Sequence, residues 1–347
     1  MKKIFLAIIS FCIALSVNAQ EWVGISKSSS TKIQETLISS SENKVVVDVK
    51  IDGFYKQAVR TSQGEQLVIS GEGMAYMPVK GAPNLPMYPI SMIVGDNAEM
   101  EVSVVKSEYV DFENIEVAPS KGNFSRQINP ADVPYTYGEM YQQDAFYPAE
   151  QAVLGEPYIL RDFRGQNMMV YPYAYNPVTK TLRVYTYLRL EAKKVGDNGV
   201  NPKLNRKRNN VVDSEINASY KRRFINYPTN ERYTFVEDEG EMLIICADKY
   251  LEAVQPLVEW KNISGRPTTM VGMSKTGINL KAYIQNYYKE HPELVYLLLV
   301  GEHIDIPPYS ISGGKSDNYF GMLEGDDKYE EVLVGRLPVI VGLENLD

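Results

Sequence analysis

The sequence predicts a multidomain chain: an all-β part, sandwich or open barrel, followed by the first part of an α/β domain with a parallel sheet. Three observations carry this. From Gln20 to about Val195 the apolar residues alternate or come in short runs rich in Val, Ile, Tyr and Thr. Past Arg232 short apolar runs alternate with longer stretches striped at helical spacing. Between the two, residues 196–232 lose the pattern and gather bases, as in GDNGVNPKLNRKRNN.

The chain begins with Lys2 and Lys3 ahead of an apolar run, IFLAIISFCIALSV, closing on Val17-Asn18-Ala19. That is signal-peptide grammar and predicts a segment 1–19, export, and a mature start at Gln20. The run is shorter than the ~20 residues a spanning helix needs, and no later segment is apolar enough to span.

In the β-rich part, residues 20–195, the segments KVVVDVKIDGF, EQLVISGEG, PISMIVG, MEVSVVKSEYV, EPYILRDFRGQNMMVYPYAYN and KTLRVYTYLRLEAKKV read as strands. Turn residues punctuate them, among them Asn176-Pro177-Val178-Thr179-Lys180 inside a hairpin.

Residues 196–232 have linker composition. They read either as a solvated tether that keeps two domains apart or as a processing region offering extended Lys and Arg to a trypsin-like enzyme. In residues 233–347, MLIICA predicts a strand and Leu251, Val254, Leu257, Val258 and Trp260 a helix; PTTMVGM is the next strand. Leu280, Tyr283, Ile284, Tyr287 and Tyr288 stripe a second helix that stops before Pro292, and VYLLLVG has the continuous apolar character of a central parallel strand. The grammar is βαβαβ.

The net charge of -8 excludes a nucleic-acid partner of the usual kind, which needs a basic surface. Acidic oxygens suit hard cations instead. Of the two cysteines, Cys12 lies in the signal and Cys246 in the apolar MLIICA run, so Cys246 reads as core rather than nucleophile. His291 reads as a helix end, favoured there by the dipole.

The stretches NERYTFVEDEGEMLIICADKY, VEWKNISGR, YLLLVGEHIDIP and KSDNYFGMLEGDDKYEEVLVGR resemble gingipain-type cysteine peptidases, over essentially all of Tyr233 to Asp347. The β-rich part, including GAPNLPMYPISMIV, is similar to the gingipain propeptide. The resemblance implies a caspase/gingipain-like second domain and a secreted or cell-surface zymogen. Its substrates would be proteins or peptides cut after basic residues, and its propeptide would bind its own or a sister mature peptidase domain. It places the catalytic cysteine and histidine downstream of the Val332–Arg336 strand. Neither Cys246 nor His303 matches them, so no catalytic residue is assigned and these residues alone are expected to be inactive.

The resemblance also implies a calcium ion held by Glu302, Glu324, Asp327, Tyr329 and Glu331, with Glu324 and Tyr329 giving main-chain carbonyls. Calcium takes six to eight hard oxygens of mixed type, which agrees in kind; taken alone, EGDDKYEE reads as a solvated acidic turn without the EF-hand pattern. His303 and Asp305 are expected to shape the loop. The Arg232-Tyr233 junction corresponds to the family's maturation point. Arg126, in the turn-rich loop GNFSRQINPADVPY, is the expected inhibitory residue, with an ordinary exposed arginine as the plain reading. A non-catalytic secreted inhibitory or binding protein that retains the propeptide is the alternative from another class; an adhesin-like sandwich would account for residues 20–195 only.

Overall fold

The computed structural model describes residues 20–26, 30–204, 211–228, 236–237, 240–311 and 314–338. The segment 1–19 and the Arg232-Tyr233 junction lie outside them.

The N-terminal part is a β-sandwich. One sheet is built on the long strand Thr181–Gly196, which pairs antiparallel with Glu99–Phe112 on one edge and with Lys44–Lys50 and Tyr173–Asn176 on the other. The facing sheet sets Phe163–Val170 between Pro86–Val94 and the short strands Tyr158–Leu160 and Ala152–Leu154. Val45, Val47, Val49, Leu188 and Leu190 from the first sheet meet Ile90, Met92, Met168 and Val170 from the second in one core. Burial of such branched side chains, at about 25 cal/mol per Å², is what holds the layers together. A third sheet, Glu21–Gly24, Gly53–Thr61 and Gly64–Ser70, closes one end over Phe54, Ile69, Leu85 and Tyr173. The alternation seen in the sequence is the physical signature of these half-buried strands.

Residues 196–204 and 211–228 are packed on the rest of the structure rather than set apart as a tether. Arg164 is fully buried, and its guanidinium donates to the carbonyls of Gly95, Ala98, Val200 and Asn201, pinning the strap at residues 199–203 to the sandwich. Helix α1 (Ser214–Arg223) follows, capped by Asp213, and Ile216, Tyr220, Phe224 and Tyr227 pack with Tyr158, Phe163 and Val295. The tether reading does not describe this helix, whose apolar stripe is broken up in sequence by Lys221, Arg222 and Arg223, the basic last turn; Arg223 lies 5.3 Å over the Tyr329 ring.

The C-terminal part has a four-stranded, wholly parallel sheet of β1 (Glu241–Cys246), β2 (Thr268–Gly272), β3 (Leu294–Val300) and β4 (Leu333–Leu337), in the order β2-β1-β3-β4. Helix α2 (Leu251–Ile263) packs on one face through Val254 and Val258, against Ile244 and Cys246. Helix α3 (Leu280–Glu290) covers the other through Leu280, Ile284 and Tyr288, against Leu243, Ile245, Leu297 and Leu299. Central strands buried on both faces read as unbroken apolar runs. Helix α3 ends at His291, whose Nδ1 lies 3.1 Å from Glu241 Oε2. Among the described residues no helix is long and apolar enough to cross a membrane.

Candidate functional site: the acidic loop and the seat of the β domain

The residues expected to share one ion fall at two ends of the sheet. Strands β3 and β4 run parallel, with Tyr296 opposite Leu333 and Val300 opposite Leu337. Glu302 follows the end of β3, whereas Glu331 precedes the start of β4; the length of β3 separates them, roughly 20 Å at about 3.3 Å per residue. A parallel crossover must return the chain to the bottom of the sheet, so a residue just after one strand and a residue just before the next cannot meet. Glu302 is therefore not brought to the other four.

At the upper end, Gly301 has a φ of +143°, and a Cβ there would come within 3.2 Å of both Ala247 and Asp305. The glycine lets the chain turn sharply off β3. Asp305 accepts from the Glu302 N–H and pairs with Lys249, and Arg336 grips Asp317 through two hydrogen bonds of 2.7 Å while donating to the carbonyls of Gly301 and Ile306. Asp305 shapes this loop, and His303 stands exposed beside Glu302.

At the lower end Glu324, Asp327, Tyr329 and Glu331 form one loop. Glu331 has no exposed surface; its Oε2 accepts from the N–H groups of Leu323 and Glu324, while its buried Oε1 has no hydrogen-bond partner among the described residues. Burial pushes its carboxyl up to about 8, against the lowering by those two N–H groups and helped by the charges of Asp327 and Glu324. A buried carboxylate oxygen without a donor is costly, and a hard cation is one way to satisfy it. Glu331, with the neighbouring carboxylate of Asp327 and the carbonyl-bearing loop, fits a calcium ion in donor type; Glu302 does not belong to that set.

The β domain holds this same loop. Ile159 N–H and Asn201 Nδ2 both donate to Asp327 Oδ2 at 2.8 Å, and Tyr329 N–H donates to Oδ1. Lys203, its side chain 3% exposed, reaches Glu324 Oε2 at 3.1 Å. Tyr158 stacks on Tyr329 with ring centroids 3.9 Å apart. Arg161, buried and in the left-handed region at φ 50°, sends its fork across the seam to the carbonyls of Pro292, Leu294 and Glu331. Three carbonyls at the bottom of β3 and β4 thus fix one guanidinium, a geometry lysine could not reproduce.

Arg126 is exposed on a turn closed by the Ile128 N–H to Ser125 carbonyl bond. Cys246 is fully buried, and burial raises its thiol, the reverse of what a nucleophile requires. Glu241, His291 and Glu293 place three possible ligand atoms within 4.8 Å. Glu241 there already accepts from Tyr287 and lies within hydrogen-bonding distance of His291 at the helix end.

Sequence reasoning passed over Arg161, Arg164, Asn201 and Lys203. The available signal was RDFRGQ, where two arginines flank a phenylalanine inside an apolar strand pattern.

These contacts define a parallel α/β sheet with an all-β domain seated on the bottom of its strands. The family model described as Propeptide_C25 matches residues 28–233, and that of Peptidase family C25 matches residues 236–341. The chain belongs to the gingipain family of cysteine peptidases and carries both the propeptide and part of the peptidase domain. Gingipain R1 of Porphyromonas gingivalis is 38% identical over 309 residues, covering 86% of this chain and 31% of that protein. Gingipain R2 of the same species is 37% identical over 311 residues, covering 87% of this chain and 42% of that protein. The chain thus spans less than half the length of these relatives. The solved complex of P. gingivalis RgpB pro- and mature domains is 36% identical with a TM-score of 0.51, covering 56% of this chain and 98% of the matched one.

Proposed function

We propose that this chain is the latent front portion of a secreted gingipain-type cysteine endopeptidase whose complete form cuts proteins and peptides after basic residues. The observation that carries the reading is the seam itself: Asp327 of the peptidase part accepts from Ile159 of the prodomain, and Arg161 of the prodomain caps carbonyls of the peptidase sheet. A prodomain bonded this closely to the sheet is held on it by more than the connecting chain.

The residues divide the work. Arg161, Asn201, Lys203 and Tyr158 fix the prodomain in register with the sheet. Arg126, exposed at its turn, is offered as a substrate-like arginine to a basic-specific pocket. Hydrolysis of the Arg232-Tyr233 bond frees a new N-terminus at Tyr233. Glu324 and Tyr329 through their carbonyls, and Asp327 and Glu331 through their carboxylates, would hold a calcium ion. The ion supplies a fixed positive charge that keeps the acidic loop folded.

The test is to express the full natural reading frame with its leader and analyse the secreted protein. The reading expects a mature N-terminus at Tyr233 and thiol-dependent cleavage after arginine or lysine that grows as this terminus appears. Secreted protein that is cut at Tyr233 and has no thiol-dependent activity would favour the non-catalytic alternative.

A further inference from the structure

Asp213 lies just before helix α1, and an N-cap needs only to receive the first free N–H groups of its helix. It does so: Oδ1 accepts from the N–H of Glu215 at 2.9 Å and of Ile216 at 3.4 Å. An ordinary cap is solvated, yet this side chain is 2% exposed. The burial comes from the peptidase part. Gly240 N–H donates to Oδ2 at 3.2 Å, Tyr296 OH to Oδ1 at 3.2 Å, and Arg266 Nη1 stands 3.5 Å from Oδ2.

The receiving groups are held in place. Arg266 lies over the Tyr296 ring at 4.2 Å and donates to the Gly240 carbonyl. A Cβ on Gly240 would fall 2.3 Å from Val295 Cγ2, so only glycine brings that N–H so near the carboxylate. Beside the pocket, Val211 and Val212 pair in parallel with Val236 and Glu237. The chain on either side of the Arg232-Tyr233 junction is therefore joined to itself.

We propose that Gly240, Arg266 and Tyr296 form a carboxylate-binding pocket of the peptidase domain, with Asp213 of the prodomain as its ligand. The pocket retains the prodomain after the Arg232-Tyr233 bond is cut, a consequence that rests on the maturation reading above. Capping requires only an acceptor, which asparagine supplies equally well; the pocket, with its guanidinium, requires the charge. That difference separates the two duties.

The experiment uses the full-length precursor, its Asp213→Asn and Arg266→Gln variants, and the double variant, each cut at the junction. Loss of the prodomain is followed by size exclusion at low and high salt. Either single change is expected to speed the loss about tenfold at low salt, the scale of a coupled buried charge pair. The double variant should add little to either single change, and salt should speed loss from the unmodified protein most. A second readout, urea unfolding of the uncut precursors, should show the same non-additivity. If Asp213→Asn is silent in both readouts while Asp213→Ala is not, Asp213 is a helix cap only and the proposal falls. Additive single effects would overturn it equally. Coupling in the uncut chain with no Tyr233 terminus in secreted protein would keep the pocket and remove the maturation reading.

Discussion

The carboxylate of Asp327 accepts a hydrogen bond of 2.8 Å from the backbone N–H of Ile159, a residue 168 positions earlier in the chain. Its other oxygen takes the N–H of Tyr329, whose ring lies on Tyr158. One acidic side chain thus organises its own loop and anchors the prodomain.

Replacing Asp327 with alanine takes the acceptor from the Ile159 and Tyr329 N–H groups, while Asn201 Nδ2 keeps the Pro157 carbonyl, at a cost of about 1–3 kcal/mol for an unsatisfied buried group. Urea unfolding of the full-length precursor should show that loss. Tyr158→Leu should cost less, about 1 kcal/mol for the stacked pair beyond its area.

Arg161→Ala removes a buried fork that serves three carbonyls of the peptidase part. The expected loss is about 2–5 kcal/mol of interface stability. Arg161→Lys should recover only a minor share, because an ammonium cannot span the same acceptors in one plane. Prodomain retention after cutting reads the effect directly.

Glu331 sets a pH dependence. Burial pushes its carboxyl up to about 8, from an ordinary value of about 4.5. A carboxyl raised in this way lends stability that is full below the unfolded value and lost as pH climbs from about 4.5 through about 8. With a chelator present, the precursor should lose on the order of a few kcal/mol across that window. Glu331→Gln should flatten the profile.

Calcium should act through the lower loop alone. Added ion is expected to raise the melting temperature of the processed full-length enzyme and to reverse the alkaline loss. Glu331→Gln should abolish the response, while Glu302→Gln, at the other end of β3, should preserve it. Calorimetry with and without chelator distinguishes the two residues.

Arg126→Ala in the prodomain should weaken inhibition of the mature enzyme by at least about tenfold, the scale of a lost charged hydrogen-bonding partner. Unchanged inhibition would make Arg126 an ordinary surface arginine.

Much of the α/β half was legible because its strands are buried on both faces and its helices on one. Leu294–Val300 is an unbroken apolar run, and Leu280, Ile284 and Tyr288 recur at helical spacing. The sandwich was legible from alternation, as in Thr181–Gly196. Helix α1 was hidden because its apolar face is only Ile216 and Tyr220, continued by Phe224 and Tyr227 past its end. The acidic loop was visible as chemistry but not as geometry. That Glu302 parts from Glu331 follows from the parallel crossover between β3 and β4, a long-range pairing that local pattern does not encode. Lys203 and Asn201 sit in linker composition, and the side chains they reach in the acidic loop, Glu324 and Asp327, lie more than a hundred residues downstream.

The most direct test of the latent-precursor account is to follow the N-terminus and the thiol-dependent activity of the secreted full-length protein together over time. The account predicts that activity toward arginyl or lysyl bonds rises with the fraction of chains beginning at Tyr233 and with departure of the prodomain. An intact precursor as active as the processed protein would contradict it.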